Sequence, residues 1–449
     1  MKNQTDIVII GAGLTGLTMA FYLKKAGKRV VVVEKASHFG GAIRTFRKNG
    51  YIFDSGPNTG TLSTIEIVEL FESLKGCTLE TANKHSHRRL IYKNGKLHAL
   101  PSGPLSGFFT PLFSWKDKFG ILLEPFRKKG TDPDESIASL AARRLGKSCL
   151  DYAVDPFISG IYAGDPNTLI TRYAIPKLYA LEASYGSFIR GAIAKAKEPK
   201  SKKERKVSKE VFSLEGGLDH LISALVEAIG KQNIILEASP EISGDANSWQ
   251  VKLSDLEIIT PVVVSTVGSY ALPSLFPFAP ESIMSKVNNL RYAAVVQASV
   301  IVSSSSLDGN DLRAFGTLIP SKEKRHILGI LYPSSCFRDR CPEGKSLLSV
   351  FLGGIRFPEM IHLPDDEIEE LIKNELRIVF RKPKLEPEQI QIFRHPYAIP
   401  QYEKNTGERL KAIQEFERIY PGIILAGNLR DGIGMAYRIK QATDIAHSL

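Results

Sequence analysis

The stretch "DIVIIGAGLTGLTMAFYLKKAGKRVVVVEK", residues 6–35, decides the fold of the first part of the chain. Residues 7–10 form a short apolar run rich in β-branched side chains, which predicts a strand buried in a parallel sheet. A helical stretch follows from Leu17 to Lys25, Gly27 is placed to end it, and a second buried strand is predicted at 30–33. The order strand, helix, strand predicts an α/β fold.

Three glycines separate the first strand from the helix at the spacing G-x-G-x-x-G. Gly11 allows the tight turn off the strand, Gly13 lets the backbone approach a pyrophosphate, and Gly16 lets the helix pack closely. Glu34 ends the second strand and is placed to accept hydrogen bonds from an adenosine ribose. The pattern predicts a dinucleotide site and disfavours NADP, because a carboxylate repels a 2′-phosphate. These residues alone leave FAD and NAD open.

The composition is that of an ordinary soluble protein, with 43% hydrophobic and 24% charged residues. A chain of 449 residues predicts two or three domains. Four cysteines without a C-x-x-C pair and nine scattered histidines predict reduced thiols and no metal site. Without a visible secretory signal or a run of 18 apolar residues, we expect a cytoplasmic protein that has no transmembrane helix.

Positive charge is concentrated in the basic stretch "KAKEPKSKKERKVSK", residues 195–209. Eight basic and two acidic residues give it +6 of the net charge of +11. Its low apolar content predicts a solvated surface loop, and contact with an anionic lipid surface is the alternative. Nucleic acid is disfavoured, because no aromatic residues lie between the charges and no nucleic-acid-binding signature is present.

Turn residues and hydrophobic periodicity predict the remaining elements. Apolar runs on either side of Asn94-Gly95 predict a hairpin at 88–101. Residues 102–126 differ in composition, being rich in Phe, Leu and Pro. The other predicted elements are helices at 65–75, 134–195 and 365–381, strand-turn-helix units at 211–230 and 422–449, and an antiparallel sheet within 290–355.

Three stretches together resemble the superfamily of FAD-dependent amine oxidases and desaturases. They are "FGGAIRT" (39–45), "LEGGLDHLISAL" (214–225) and "LAGNLRDGIGMAYRIKQA" (425–442). In that superfamily the last stretch forms a strand, a turn and a helix that cover the pyrimidine end of the flavin. NAD enzymes have no need of such an element, so the resemblance implies FAD as the cofactor.

A larger set of stretches is similar to the protoporphyrinogen oxidase family, which includes bacterial coproporphyrinogen oxidases. The set comprises residues 155–193, "HALPSGP" (98–104), residues 315–337 and "PYAIPQY" (396–402). The family implies a step of porphyrin biosynthesis that removes six electrons and six protons from a porphyrinogen, with O₂ or a quinone reoxidising the flavin. Protoporphyrinogen IX is favoured over coproporphyrinogen III. The rival interpretations are an amine oxidase, a carotenoid desaturase and a flavoprotein that carries porphyrin without turnover.

The family also implies a Rossmann-like FAD-binding domain, a mixed-sheet substrate domain and a helical membrane-binding insertion. Residues 102–211 correspond to the insertion and include the basic stretch. Its start, with Trp115, suits an interfacial anchor on an anionic cytoplasmic membrane, and an ordinary helical core segment is the alternative. Whether the chain forms a homodimer is left open. The expected FAD-binding domain is 1–86, 212–268 and 421–449, and the expected substrate domain is 87–101 and 269–420.

Motif positions imply the substrate-binding residues. The backbone carbonyl of Gly160, in "SGIYAG", corresponds to the catalytic group that orients the macrocycle, although a glycine there also suits a simple tight turn. Arg89 corresponds to the arginine that pairs with a propionate, with adjacent Arg88 as the alternative. The apolar residues that correspond to the walls of the macrocycle site are Phe315, Leu318 and Phe351.

The resemblance implies ten residues for the flavin. At the carboxyl-terminal end, a helix N-terminus would stabilise the negative charge of the reduced flavin. Pro240 departs from the family, whose members often place an apolar β-branched residue against the adenine, so the adenine contact is left unassigned. The ten residues are Gly11, Gly13, Gly16, Glu34, Gly41, Arg44, Asn58, Gly427, Gly434 and Met435.

Overall fold

The computed structural model of the chain describes residues 2–199, 201, 203–307 and 312–449. A five-stranded parallel sheet and a seven-stranded mixed sheet organise the molecule. Helices pack on both faces of the parallel sheet, and a separate block of helices follows the first hairpin of the mixed sheet. The predicted α/β fold class is confirmed.

The β-branched runs of the sequence form the parallel sheet. Ile7–Ile10 lies between Val30–Val33 and Val262–Ser265. Its residues are buried on both faces, which explains why the apolar run is continuous rather than alternating. The strand order is Ile234–Ile235, Val30–Val33, Ile7–Ile10, Val262–Ser265 and Ile423–Leu425.

Two apolar layers cover this sheet. The helix after the first strand begins at Leu14 rather than at the predicted Leu17, because Gly13 in extended backbone serves as its N-cap. The helices of one layer are Leu14–Lys25, Ile65–Ser73, Asp219–Ile229 and Met435–Ser448. The other layer contains the helices Leu272–Leu275, Glu281–Asn288 and Thr406–Ile419 and the strands Lys2–Gln4, Glu241–Asp245, Ser248–Lys252 and Glu257–Thr260.

The mixed sheet is antiparallel except where Gly316–Leu318 pairs in parallel with Arg89–Lys93. The predicted hairpin is present, and Asn94 and Gly95 have φ of 50° and 75°, as its two-residue turn requires. The strand order is Gln389–Pro400, Tyr292–Ser303, Lys345–Gly353, Ile327–Leu331, Gly316–Leu318, Arg89–Lys93 and Lys96–Ala99.

The two faces of the mixed sheet have different neighbours. Its back face packs against the helix Asp365–Val379 through Ile368, Ile372 and Leu376. Its front face packs against the hairpin Arg44–Lys48 and Tyr51–Ser55, which follows the dinucleotide unit. The front face therefore looks toward the parallel sheet. The remaining elements are the strands Gly60–Thr61, Leu79–Thr81 and Val211–Leu214 and the helix Pro333–Cys336.

The helical block exposes many apolar side chains near its start. Within the described ranges, no helix is both long and apolar enough to cross a membrane. Its helices are Pro104–Phe109, Trp115–Leu122, Ile137–Leu145, Lys147–Cys149, Asp155–Tyr162, Thr171–Ala174, Pro176–Tyr185 and Phe188–Lys197, with a π-helical turn at Leu150–Val154.

The basic stretch is less loop-like than its composition predicts. Its first residues continue the helix Phe188–Lys197. Further on, Lys203 and Lys206 form ion pairs of 2.7 and 2.6 Å with Glu69 and Glu72 of the helix Ile65–Ser73. Exposed pairs of this kind contribute little to stability. Lys200 and Lys202, which belong to the same stretch, lie outside the described residues.

A buried ion cluster holds the helical block together. Arg144 is fully buried and bonds Glu124 at 3.0 Å and Glu182 at 2.8 Å. Glu124 in turn accepts the hydroxyl of Ser187 and two backbone amides at the start of the last helix. Burial alone would raise the pKa of Glu182, but hydrogen bonds from Arg143, a backbone amide and Arg144 outweigh it and lower the pKa to about 2.

We expect Arg144→Leu to lower the free energy of unfolding of the helical block by roughly 3–5 kcal/mol, because buried Glu124 loses its cationic partner and Glu182 keeps only Arg143. Urea denaturation measures the change. The control is Arg190→Leu on the same block, an exposed arginine whose loss is expected to cost no more than about 0.5 kcal/mol. Equal effects of the two substitutions would contradict the role of the cluster.

The pH dependence follows from the lowered pKa of Glu182. A carboxylate whose folded pKa lies below its unfolded value stabilises the protein above the unfolded pKa. The contribution is therefore expected to be complete above pH 4.5 and to be lost as the pH falls from 4.5 toward about 2. Thermal unfolding of Glu182→Gln beside the unchanged protein should show a stability difference that shrinks across this range.

Candidate functional site

At the carboxyl edge of the parallel sheet, two glycine turns pack against one residue, Thr266. A Cβ on Gly11, whose φ is +107°, would lie 2.6 Å from Thr266 Oγ1. A Cβ on Gly427, whose φ is +93°, would lie 2.8 Å from the Thr266 carbonyl oxygen. The first and last turns of the nucleotide unit therefore border the same crevice. In open α/β sheets, ligands bind at this edge.

The three glycines of the first turn differ in what surrounds them. A Cβ on Gly16 would lie 2.0 Å from the Gly11 carbonyl oxygen, so close packing of helix and turn requires this glycine. At Gly13, by contrast, a Cβ would have no neighbour within 4 Å. Contacts within the protein therefore account for the need for glycine at positions 11 and 16. Gly13 borders open space in front of the helix that begins at Leu14, whose first amides lack helical partners.

Glu34 is tied to the same turn. Its two carboxylate oxygens accept the backbone N–H groups of Ala12 and Ala36, both at 2.8 Å. Each oxygen keeps lone pairs that can accept a ribose hydroxyl. Gly41, with a φ of +58°, packs against Gly13, so the second glycine motif lies on the first.

The remaining amino-terminal flavin candidates occupy two positions. Arg44 is exposed, with its guanidinium 5.1 Å from the centre of the Phe46 ring. Asn58 is buried, and its Nδ2 donates to the Gly56 carbonyl at 3.1 Å. Gly56 donates its own N–H to Gln297 of the mixed sheet at 2.7 Å. The loop that carries Asn58 therefore lies between the two sheets.

The last turn leads into the helix Met435–Ser448. Gly434 caps this helix in extended conformation, with φ of −73° and ψ of 152°, and no side chain bonds its first amides. Asp431 and Gly432 both have positive φ, of 65° and 92°. Such a turn exposes backbone N–H groups to an anion or a carbonyl oxygen. Gly427 borders the crevice, Gly434 and Met435 begin the helix that follows, and the roles of all three toward the flavin stay a prediction.

The strand register brings two of the predicted wall residues onto one row. Leu318 pairs with Gly329, Gly329 with Phe351, and Phe351 with Gln297. Residues paired across strands project to the same face. Leu318 and Phe351 therefore share the front face, where Gln297 contacts the loop before Asn58. Gly329 leaves a gap between them.

Gly160 lies directly over this row. A Cβ on Gly160 would lie 2.5 Å from Leu318 Cδ2. Ala163 ends the helix Asp155–Tyr162 in a left-handed conformation, with a φ of 46°. As a result, the Gly160 carbonyl accepts no hydrogen bond from the residues that the structure describes. It remains available to a ligand.

Two apolar residues beside Gly160 were missed by sequence reasoning. Phe157 and Ile161 are each 42% exposed, whereas Ile158 and Tyr162 of the same helix are buried. Because residues four apart lie on one face of a helix, Phe157 and Ile161 frame Gly160. The signal was the helical spacing of "PFISGIY", but spacing does not reveal which of its two apolar faces is buried.

A polar network fastens this helix to the strand that carries Leu318. Asp155 accepts the N–H and the hydroxyl of Ser321 at 2.7 and 2.9 Å. Arg356 donates to Ser159 Oγ at 2.7 Å and to the Ile319 carbonyl at 3.3 Å. The distance between Gly160 and Leu318 therefore depends on buried polar contacts on the far side of the helix.

Arg89 and Phe315 lie at the end of the same sheet. Arg89 pairs with Gly316, which puts it on the face that carries Leu318. The Arg89 side chain is exposed, and its guanidinium lies 5.3 Å from the centre of the Phe315 ring. Phe315 lies three residues before Leu318. Because side chains alternate between the two faces of a sheet, these two side chains project to opposite faces.

His395 is a third residue that sequence reasoning missed. It pairs with Val295 on the row next to Gln297, and its Nε2 lies 3.4 Å from Ser55 Oγ. Burial lowers the pKa of His395 below its usual value of 6.5, so the imidazole is neutral at physiological pH and can accept a proton. Its sequence context, "FRHPY", carries no recognisable signal.

Comparison with known proteins adds independent findings. The model of the family described as flavin containing amine oxidoreductase matches residues 14–438. The mitochondrial protoporphyrinogen oxidase of Nicotiana tabacum is 29% identical, with 99% of this chain and 94% of the relative covered. Protoporphyrinogen oxidase 2 of Arabidopsis thaliana is 30% identical, with 98% and 92% covered.

Among solved structures, a protein from Exiguobacterium sp. that is provisionally named a protoporphyrinogen oxidase superposes with a TM-score of 0.82. It is 22% identical and covers 99% of this chain and 98% of its own. At that identity the similarity concerns the fold alone. The residues around the crevice fit FAD, because they combine open space at Gly13, carboxylate lone pairs at Glu34 and uncapped amides at the start of the helix Met435–Ser448.

We expect Gly13→Ala to fold normally and to bind FAD at least about tenfold more weakly, a loss of about 1.4 kcal/mol. The new methyl group touches nothing in the protein but stands where a pyrophosphate would approach. Titration of the apoprotein with FAD measures the affinity. The control is Gly107→Ala in the helical block, which also has open space around its Cβ. Unchanged affinity in Gly13→Ala would contradict a pyrophosphate site at this turn.

Proposed function

Because the chain belongs to the flavin containing amine oxidoreductase family, we propose that it oxidises protoporphyrinogen IX to protoporphyrin IX with FAD as its cofactor. The observation that carries the proposal is an exposed apolar surface in which Phe157 and Ile161 flank Gly160. Gly160 packs directly on Leu318, which lies in the same row as Phe351. A flat, largely apolar macrocycle needs such a surface and few polar anchors. The similarity to plant protoporphyrinogen oxidases along nearly the whole chain supports the same substrate.

Bound FAD would accept two electrons and a proton equivalent as hydride in each of three rounds, and O₂ or a quinone would remove them. The protein supplies binding and orientation. The first glycine turn and Glu34 would bind the pyrophosphate and the ribose. The N–H groups at the start of the helix Met435–Ser448 would face the pyrimidine end of the flavin, where negative charge develops on reduction.

The residues of the front face would orient the substrate. The unbonded Gly160 carbonyl would accept a pyrrole N–H, which fixes the tilt of the macrocycle against the apolar surface around it. Arg89, at the rim, would pair with a propionate through its planar fork. Oxidation to an aromatic macrocycle needs no strong base, and buried His395, whose pKa is lowered, stays neutral during turnover.

The principal test compares protoporphyrinogen IX and coproporphyrinogen III in air, with red porphyrin fluorescence as the readout. Faster turnover of the first supports the proposal. Faster turnover of the second assigns the chain to coproporphyrinogen oxidation, with the flavin site unchanged. A yellow protein that oxidises neither, even with a quinone added, would exclude both and favour an amine or polyene substrate.

Arg89→Ala is expected to raise KM for the porphyrinogen by roughly tenfold to a hundredfold, because a hydrogen bond to a charged group contributes about 1.5–3 kcal/mol. Steady-state fluorescence assays measure it, and Arg88→Ala is the matched control. A larger effect of Arg88→Ala would transfer the propionate contact to that residue. KM values in both variants that equal the KM of the unchanged protein would exclude a propionate contact by either arginine.

We further propose that the start of the helical block contacts an anionic membrane surface. The rings of Phe108 and Trp115 contact each other there, with 5.1 Å between their centres. The Lys118 ammonium group lies 4.1 Å from the centre of the Trp115 ring. An apolar surface with aromatic and cationic residues suits the headgroup region of a bilayer. The exposed residues of this apolar patch are Leu105, Phe108, Phe109, Trp115, Phe119, Leu122, Leu123 and Phe126.

The double substitution Phe109→Ser and Phe126→Ser should abolish cosedimentation with vesicles that contain phosphatidylglycerol. These side chains are 71% and 78% exposed, so the fold loses little. The control is Ile419→Ser, which removes a 40% exposed apolar side chain elsewhere. Cosedimentation that survives the double substitution but not 0.5 M salt would instead indicate a purely electrostatic contact through the basic stretch.

A further inference from the structure

Two arginine side chains are buried beneath the last turn without a carboxylate partner. Arg409 is fully buried and Arg438 is 6% exposed. Buried guanidinium groups are normally paired with a carboxylate, because an unpaired charge is costly to remove from water. Within the described part of the chain, no carboxylate lies at ion-pair distance from either group, and Arg409 Nη1 and Arg438 Nε have no hydrogen-bond partner.

Instead, the two arginines bond backbone carbonyls of the turn. Arg438 donates to the carbonyls of Gly427 and, at 2.7 Å, of Arg430. Arg409 donates to the Leu429 carbonyl at 3.3 Å. Gln441 completes the arrangement, because its Oε1 accepts both from Arg438 at 2.9 Å and from the Gly427 N–H at 2.8 Å.

These bonds orient the opposite side of the turn. In a trans peptide the C=O of one residue and the N–H of the next point in opposite directions. With the carbonyls of 427, 429 and 430 directed at the guanidinium groups, the N–H groups of Asn428, Arg430 and Asp431 point away from them. None of these three amides has an acceptor among the residues described. The turn itself borders the crevice, because Gly427 lies on Thr266 beside Gly11.

The other charges around the turn only partly offset the two buried cations. Glu403, the carboxylate that acts on Arg409 through space, also lies 3.8 Å from Arg291. Arg430 lies 3.3 Å from Glu417 and is largely neutralised by it. Asp431 is 56% exposed at its side chain and accepts from Gln441 Nε2 at 2.7 Å. Solvent screens an exposed carboxylate far more than it screens a buried guanidinium. The crevice side of the turn is therefore electropositive.

We propose that Arg438 and Arg409 are positioning residues for the flavin, which direct the amides of residues 428, 430 and 431 toward it and supply buried positive charge that favours its reduced, anionic form. The inference rests on FAD binding and not on the identity of the oxidised substrate. Charge in a water-excluded site acts strongly and needs no reorganisation when electrons arrive. The expected consequence is a raised midpoint potential of the bound flavin.

The test is the two-electron midpoint potential of the purified holoenzyme, measured by slow reduction with a reference dye and without any porphyrinogen. Arg438→Gln should weaken the preference for reduced flavin at least tenfold, which lowers the potential by about 30 mV. Arg438→Lys, which keeps the charge but not the fork, should recover most of the potential while binding FAD less tightly. The matched control is Lys440→Gln, which removes an exposed cation two residues away on the same helix.

Each outcome decides the proposal. A fall of the potential in Arg438→Gln that Arg438→Lys restores and Lys440→Gln does not reproduce supports it. Potentials that are equal in all three variants would overturn it and leave Arg438 a purely structural group. If Arg438→Gln does not retain FAD, Arg409→Gln is measured in its place, since Arg409 makes a single bond to the turn. An unchanged potential there would overturn the electrostatic role. Failure to oxidise porphyrinogens would leave these potentials, and hence the inference, unaffected.

Discussion

The side-chain amide of Gln297 joins the mixed sheet to the loop that follows the hairpin strand Tyr51–Ser55, and the position of this loop between the two sheets depends on the contact. Its Oε1 accepts the Gly56 N–H at 2.7 Å, and its Nε2 donates to the Asp54 carbonyl at 2.7 Å and to Ser349 Oγ at 3.2 Å. Gln297 is fully buried, so any displacement of the loop would leave polar groups unpaired, at a cost of about 1–3 kcal/mol each. The distance between the crevice at the parallel sheet and the apolar wall of the mixed sheet is therefore fixed.

The helical block is attached to the same centre. Ile433, from the last turn, packs in one apolar cluster with Ile158 and Tyr162 of the block and with Tyr402 of the segment after the mixed sheet. The Tyr402 hydroxyl donates to the Asn428 carbonyl at 2.8 Å. Three parts of the chain that are far apart in sequence thus meet at the turn that borders the crevice.

Polar and apolar side chains have different roles around the site. On the helix Asp155–Tyr162, the polar side bonds Ser321 and Arg356, whereas the apolar side leaves Phe157 and Ile161 exposed. Exposed apolar walls are unfavourable in water and are typical of a surface that a ligand covers. At the last turn the arrangement is different, because buried guanidinium groups satisfy the carbonyls and leave the amides for the ligand.

Local patterns account for much of the fold. The sequence by itself determined the strand, turn and helix around Gly11 and Gly16, the hairpin at Asn94-Gly95 and the closing unit after Gly427. Each of these depends on backbone conformation or hydrophobic period over a few residues. The same patterns predicted too long a loop for the basic stretch, since composition does not show where the helix Phe188–Lys197 ends.

Only the tertiary structure decided which groups meet. The exposure of Phe157 and Ile161, the position of His395 beside Ser55 and the opposite parity of Phe315 and Leu318 all follow from strand register and packing. Arg409 and Arg438 carried no signal, because an arginine in a helical pattern is normally a solvated residue. Both bond backbone carbonyls of the last turn, and a helical pattern does not show where that turn folds back onto them.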